Sequence, residues 1–317
     1  MVESTSRALI RPGSNSIRSP WGTVDTDLSV QCLPDRRPLL AGSAHERSIQ
    51  PPVPGIACMC VGLVALNQSP KYPLVVALNR DEFFSRPTTA ANFWEGTEIL
   101  GGRDRVSGGT WFGVTRSGYM GLVTNFRAGS PDPATGKSRG SLVAGFLERP
   151  QSAMDYAAAV ARDCEQYSPF NLLLWDMQRM GYVSSRMPPQ PVTDSVFGLS
   201  NGDLDQSWPK VRRGTSMLQE AIAEDLDSKQ LVDRLFGILA DRTRPQDKDL
   251  PKTGIGMAAE RELSPVFVDI PSQDYGTRTS TVLLIDREQH VVLVERTYNR
   301  EAESCDDVVF DFTISPG

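Results

Sequence analysis

Cys60-Val61-Gly62-Leu63-Val64-Ala65-Leu66, a short polar turn, and Leu74-Val75-Val76-Ala77-Leu78 running straight into Asn79-Arg80-Asp81-Glu82 form the stretch that decides the fold. Both apolar runs are short and rich in β-branched residues, and polar positions separate them. They predict a buried β-hairpin. Three ionisable groups directly after an apolar strand are unusual, because burying unpaired charge is costly. Such a strand-end cluster either lines a cleft or is a solvated loop closed by a local Arg-Asp pair.

Downstream, Trp111–Thr115 and Met120–Thr124 flank a Ser117-Gly118 turn and predict a second hairpin. Helical stretches follow at about 138–149 and 152–166. Phe170–Trp175 and Tyr182–Ser185 read as short strands. Asp205 and Asp227 are candidate N-caps for helices near 206–223 and 228–240, since a short acidic side chain satisfies first-turn amides. In the second of these, Leu231, Leu235 and Leu239 repeat every four residues and mark a core face. Residues 241–263 are polar with Pro and Gly and read as a surface loop. Thr279–Asp286 and His290–Glu295 close the chain as a final hairpin. Hairpins first, helices in the middle and hairpins last predict an α+β fold of antiparallel sheets with helices on their outer faces.

Upstream, residues 1–57 carry seven prolines and eight serines and keep no helical or strand period, so they read as a disordered extension to a domain of residues 58–317. In the first 20 residues Arg7, Arg11 and Arg18 with a single acid, Glu3, lean towards a mitochondrial or plastid transit peptide; a dispensable tail or an upstream start codon remains the alternative. The 317 residues carry a net charge of -6. That balance excludes a nucleic-acid-coating role, which needs clustered cations. No apolar run is long enough to form an integral membrane helix. Five scattered cysteines suit a reducing compartment better than a disulfide framework.

The two histidines, His45 and His290, lie in the tail and in a strand and give a Cys-His or Ser-His pair little support. Gly136-Lys137-Ser138-Arg139-Gly140 matches G-x-S-x-G, but no apolar strand precedes it. Gly101-Gly102 and Gly108-Gly109 read as tight turns, and Cys58-x-Cys60 lacks further zinc ligands. No cofactor is implied. A lone strand cysteine such as Cys60 is ordinarily a small buried hydrophobe. Met59 before it adds a second reading. A chain beginning at Cys60 would carry a thiol nucleophile and an α-amine titrating near ~7.7–8, close to ideal for a general base.

Met59-Cys60, Asn79-Arg80-Asp81-Glu82, Gly101-Gly102-Arg103-Asp104, Gly109-Thr110-Trp111-Phe112-Gly113, Thr124-Asn125-Phe126-Arg127, Leu199-Ser200-Asn201-Gly202 and Tyr275-Gly276-Thr277-Arg278-Thr279, in this order over about residues 59–317, resemble the NRDE family. That family is similar to the N-terminal-nucleophile hydrolases, which implies a four-layer αββα sandwich. It is more distantly similar to bile-salt hydrolases and penicillin V acylases. The resemblance implies Cys60 as nucleophile, Arg80 and Arg278 as cations favouring its thiolate, and Asp81 orienting the α-amine. It further implies Asn125 and Asn201 as donors to an oxyanion. One departure is the segment before Met59: with it attached, Cys60 has a peptide nitrogen and no base.

Members of the family are associated with Golgi organisation and secretion and with lipid and haem handling. The expected role therefore lies there, with two alternatives for the cleft. One is cleavage of an amide or acyl bond, other than a peptide bond, in a small acyl-amide ligand. The other is non-enzymatic handling of a lipid-like or haem-like ligand. The expected location is cytoplasmic, with Golgi-associated or mitochondrial placement as alternatives.

Overall fold

The computed structural model describes residues 59–127, 136–204, 206 and 208–315. The chain opens with β1 (Met59–Leu66) and β2 (Leu74–Phe83), the hairpin expected from the two apolar runs. β3 (Thr88–Phe93), β4 (Ile99–Asp104), β5 (Phe112–Thr115) and β6 (Met120–Asn125) follow. Next come α1 (Gly140–Glu148) and α2 (Ala153–Arg162), then β7 (Phe170–Trp175), β8 (Met180–Ser184), β9 (Gln190–Val192) and β10 (Val196–Leu199). α3 (Pro209–Ala223), α4 (Ser228–Leu239) and α5 (Met257–Glu262) precede β11 (Asp269–Ile270), β12 (Tyr275–Ile285), β13 (His290–Tyr298) and β14 (Ser304–Thr313).

The strands form two seven-stranded sheets. One has the order β10-β1-β2-β12-β13-β14 with β11 on β12; the other runs β3 to β9 in sequence order. Every pairing within them is antiparallel. α3 and α4 cover the first sheet, and α1 and α2 the second. The result is the four-layer αββα sandwich that the resemblance to N-terminal-nucleophile hydrolases implied. Val64, Val76, Leu78, Leu283 and Leu293 of the first sheet meet Leu122, Leu172 and Leu174 of the second in one buried cluster between the sheets. Burial of that apolar area is the main driving force for holding the sheets together.

Several elements differ from expectation. Gly101 and Gly102 lie inside β4 instead of in a turn. A Cβ on Gly101 would sit 2.5 Å from the Phe112 carbonyl oxygen, and one on Gly102 would sit 2.4 Å from the Trp111 ring. The glycines are there for close approach across strands. α3 begins at Pro209, later than the reading from Asp205, which lies outside the described residues, as do residues 1–57. Asp227 caps α4 as expected, in a capping box with Gln230. The 241–263 stretch carries α5, with Glu260 and Leu263 buried, so it is not a simple surface loop. The last hairpin gains a third strand, β14. Among the described residues no helix is long and apolar enough to cross a membrane.

Candidate functional site

Alternation along β2 sorts the Asn-Arg-Asp-Glu run onto two faces. Asn79 turns to the helical layer, donating to the carbonyls of Leu239 at 2.8 Å and Val266 at 2.9 Å. Arg80 and Glu82 turn inward, towards the other sheet. Cys60 is the register partner of Arg80, and Thr279 of β12 lies opposite Arg80 on the other side. Directly opposed residues share a face, so Cys60, Arg80 and Thr279 form one row across three strands. The space between the sheets thus changes character along its length. It is aliphatic at one end, and thiol, guanidinium, hydroxyl and carboxylate at the other.

Arg80 is 2% exposed. Its guanidinium lies 4.2 Å from the centre of the Trp111 ring, 3.4 Å from Glu82 and 3.9 Å from Asp104. It also donates to Thr88 at 3.3 Å. A desolvated cation over an indole gains about 2 kcal/mol, and Gly102 supplies the room in which Trp111 lies. Arg86 closes the cluster, 2.8 Å from Asp104. Burial opposes ionisation of Asp104, but the Arg86 bond and the amides of Ser107 and Val106 hold its carboxyl below the usual range. On the same inner face Glu295 accepts from the Ala91 amide at 2.7 Å and the Thr281 hydroxyl at 3.1 Å, tying β13 to β3. Complete burial pushes its carboxyl up to about 7.

β12 carries a bulge between Thr277 and Thr279. Bulges re-aim side chains at the ends of ladders, and here the extra residue is Arg278. It donates to the carbonyls of Phe83 at 2.9 Å and Arg86 at 3.0 Å, clamping the turn that leaves β2. Burial, and then Arg80, lower its pKa.

Asp81 shares the outward face with Asn79. It is fully buried and accepts from the Thr277 hydroxyl at 2.7 Å. Its register partner is Met59, whose peptide bond carries the Cys60 nitrogen. Burial raises its carboxyl to about 6, against the pull of Lys210, Thr277 and Arg80.

A second network fixes the segment after β10. Asn171 donates to Thr124 Oγ1, to Ser200 O and to Gly202 O at 3.2, 3.3 and 2.9 Å, and accepts from Tyr182 at 2.8 Å. Ser200 donates to the carbonyl oxygen of Cys60 at 2.9 Å, and Asn201 Nδ2 donates to the carbonyl of Asn125 at 2.9 Å. Asn125 Nδ2 is buried and, among the described residues, has no hydrogen-bond partner.

Of the residues expected from sequence, Cys60 and Arg80 lie side by side on the inner face at the start of the β1–β2 ladder with Asp81 on the outer face, and Ser200 links the Cys60 carbonyl to Asn201, which in turn holds the Asn125 carbonyl. Arg278 stands on the far side of Arg80. Cys60 is 3% exposed. Buried polar residues that were missed include Glu295, Asn171, Glu260 and Lys210. Lys210 had a legible signal, because the buried stripe of α3 runs Lys210, Gly214, Leu218 and Ile222, and a charge on a core stripe is anomalous. Chemically, the first rungs of the ladder carry a buried thiol on the inner face and a buried carboxylate on the outer face. Among the described residues no cluster of His, Cys, Asp and Glu is placed to hold a metal ion.

Residues 59–300 match the family model described as Transport and Golgi organisation 2. A "Transport and Golgi organization 2 homolog" from Mus musculus is 30% identical over 279 residues, covering 81% of this chain and 99% of that protein. A "Transport and Golgi organization protein 2" from Drosophila melanogaster is 28% identical, covering 75% of this chain and 92% of that one. Among solved structures, the Caenorhabditis elegans ortholog of N-acylethanolamine-hydrolyzing acid amidase has a TM-score of 0.44 at 14% identity, covering 71% of this chain and 92% of that chain. A conjugated bile acid hydrolase mutant from Clostridium perfringens has a TM-score of 0.42 at 10% identity, covering 81% and 99%.

Proposed function

The chain belongs to the Transport and Golgi organisation 2 family, and from that premise we propose that it serves Golgi organisation and protein secretion through a cysteine site that cleaves a small acyl-amide or related acyl bond. Cys60 is the nucleophile. Its own α-amine is the base, which requires that the chain begin at Cys60. The amine takes the thiol proton as sulfur attacks the carbonyl carbon, and it returns that proton to the departing amine. A thioester remains. Water then attacks the thioester with the same amine as base, releasing the acid and restoring the thiol. Asp81, opposite the preceding residue in the ladder, orients the amine. Asn125 and Asn201 donate to the oxyanion in both steps. Arg80 and Arg278 add positive potential around the sulfur.

The observation that carries this reading is the buried row Cys60-Arg80-Thr279 beside Asp81, with the Cys60 carbonyl anchored by Ser200. The family match beginning at Met59 supports it, since Cys60 is then the second matched residue. A Golgi-associated place in the cytoplasm follows from the same role.

One observation favours the second reading, in which the cleft handles a lipid-like or haem-like ligand without chemistry. Met59 stands in β1 paired with Asp81, so in the uncut chain the nitrogen of Cys60 is a peptide nitrogen. N-terminal sequencing of the protein recovered from its own cells separates the two. Cys60 as first residue is the outcome the catalytic reading requires, whereas an internal Cys60 ends it. Under the second reading Cys60→Ser leaves secretion intact.

A further inference from the structure

β1 extends beyond the pairing it shares with β10. That pairing stops at Gly62 opposite Leu199, whereas the pairing with β2 continues through Cys60 opposite Arg80 to Met59 opposite Asp81. In an antiparallel ladder the N–H and C=O of one residue face the same neighbour, and successive residues alternate. The Leu66 amide donates to the Ser195 carbonyl, just before β10. The peptide groups of Val64, Gly62 and Cys60 therefore face the β10 side as well. Cys60 and Arg80 are opposed without exchanging backbone bonds, and the bonded rungs to β2 are Met59–Asp81 and Val61–Asn79. Cys60 thus aims its buried carbonyl at a strand that has already ended, and a buried carbonyl without a donor is costly.

Ser200, the residue after β10, fills the gap. Its hydroxyl lies 2.9 Å from the Cys60 carbonyl oxygen and 3.2 Å from Asn201 Oδ1. A hydroxyl has one hydrogen, and the shorter bond goes to Cys60. Ser200 is 3% exposed and is itself fastened to the other sheet. Its carbonyl accepts from the Thr124 hydroxyl of β6 at 2.6 Å and from Asn171 of β7 at 3.3 Å. A side chain here does the work of a missing backbone amide.

The bond matters most in a chain that begins at Cys60. There the Met59–Asp81 rung is gone, and a chain end is poorly ordered unless tied down. Thiol and α-amine hang on one Cα, which the Cys60–Val61 peptide plane holds in place. The Val61 rung grips one edge of that plane and the Ser200 hydroxyl the other, so the terminal residue keeps a single free turn, about Cα–C. We propose that Ser200 is a positioning residue for Cys60, standing in for the absent rung of β10 and fixing the carbon that carries both nucleophile and base. The anchor follows from the fold alone; its effect on acylation rests on the proposed function.

Iodoacetamide alkylation of the full 317-residue chain, followed cysteine by cysteine by peptide mass spectrometry, tests the anchor without turnover. Cys60 is buried, Cys164 half-buried and Cys305 exposed, so Cys305 serves as the reference and Cys164 reports on the rest of the fold. Ser200→Ala is expected to speed alkylation of Cys60 about tenfold relative to Cys305, with the Cys164 ratio unchanged. In the chain beginning at Cys60 the same variant is expected to lower the rate constant for acylation by p-nitrophenyl octanoate about tenfold, at an unchanged half-saturating ester concentration. The two rates move in opposite directions because a loosened thiol is easier to reach but has lost its aligned amine. Should Ser200→Ala not fold, Thr124→Val, which removes the hydroxyl bond to the Ser200 carbonyl, is measured with the same two expectations. Unchanged alkylation of Cys60, or a rise shared by Cys164, overturns the anchor. Faster alkylation with undiminished acylation overturns the positioning role. A wild-type chain beginning at Cys60 that is never acylated removes the proposed reaction, and the alkylation ratio then decides the anchor by itself.

Discussion

At the scale of single residues, the inner layer holds a buried acid whose titration the fold has shifted. That acid is Glu295, with its carboxyl pushed from 4.5 up to about 7 by burial. An acid whose folded pKa is raised favours folding when protonated. Its contribution is therefore complete below the unfolded value and is lost as pH rises through about 7. Glu295→Gln imitates the protonated form and keeps an oxygen for the Ala91 amide. It should gain on the order of 2–3 kcal/mol at pH 8, from roughly 1.4 kcal/mol for each pH unit that separates the folded and unfolded values, with the advantage fading by about pH 5. Urea titrations at the two pH values measure it. A loss of stability at pH 8 would mean that the carboxylate is needed as an ion beside Arg80. Asn171 is the neutral counterpart. Asn171→Ala strands the Gly202 carbonyl and removes the acceptor of the Tyr182 hydroxyl, while Ser200 O keeps the Thr124 hydroxyl; the expected cost is about 2–3 kcal/mol in a denaturant melt. A cost below about 0.5 kcal/mol would mean that water replaces the amide.

Among the elements, two glycine clusters whose purpose is invisible in one dimension turn out to be partners. A Cβ on Gly109 would lie 2.4 Å from the backbone carbon of Gly140, the first residue of α1. Backbone cannot step aside as a side chain can. Gly109→Ala is therefore expected near the upper end of the overpacking range, about 3 kcal/mol, measured by chemical denaturation. A change under about 1 kcal/mol would show that α1 slides freely on the sheet. The same example marks what was legible in the sequence. Apolar, β-branched runs announced β1, β2, β5 to β8, β12 and β13, and the Asp227 cap announced α4. β4 was hidden because Gly101 and Gly102 have no side chains to show a period. β14 was hidden because Ser304–Thr313 is an edge strand whose first half is exposed and acidic. In the site, Cys60, Arg80 and Asp81 were legible as a cluster after an apolar strand. That Arg80 faces inward and Asp81 outward follows only from knowing the strand continues through them. Asn171 and Glu295 sit within apolar strands and gain meaning only from partners on other elements.

For the whole molecule, β2 and β12 lie inside the first sheet, with the row of Cys60, Arg80 and Thr279 ending on them. Native-state hydrogen exchange should be slowest there and fast across 242–256, where long-range backbone bonds are few. Comparable protection in the two regions would contradict this order. The layout explains how a rigid scaffold could present a nucleophile from its interior: the apolar end of the sandwich fixes the ladder, and the ionic end holds Cys60 at its first rungs. The proposed chemistry turns on that cysteine and its amine. Two chains, the full 317 residues and one beginning at Cys60, are exposed to p-nitrophenyl octanoate and followed by intact mass spectrometry. An octanoyl adduct on Cys60 is expected to form on the order of a hundredfold faster in the chain beginning at Cys60, the lower bound for a positioned base, and not at all in its Cys60→Ser form. Equal acylation of the two chains, or no adduct on either, would contradict a cysteine that acts with its own amine.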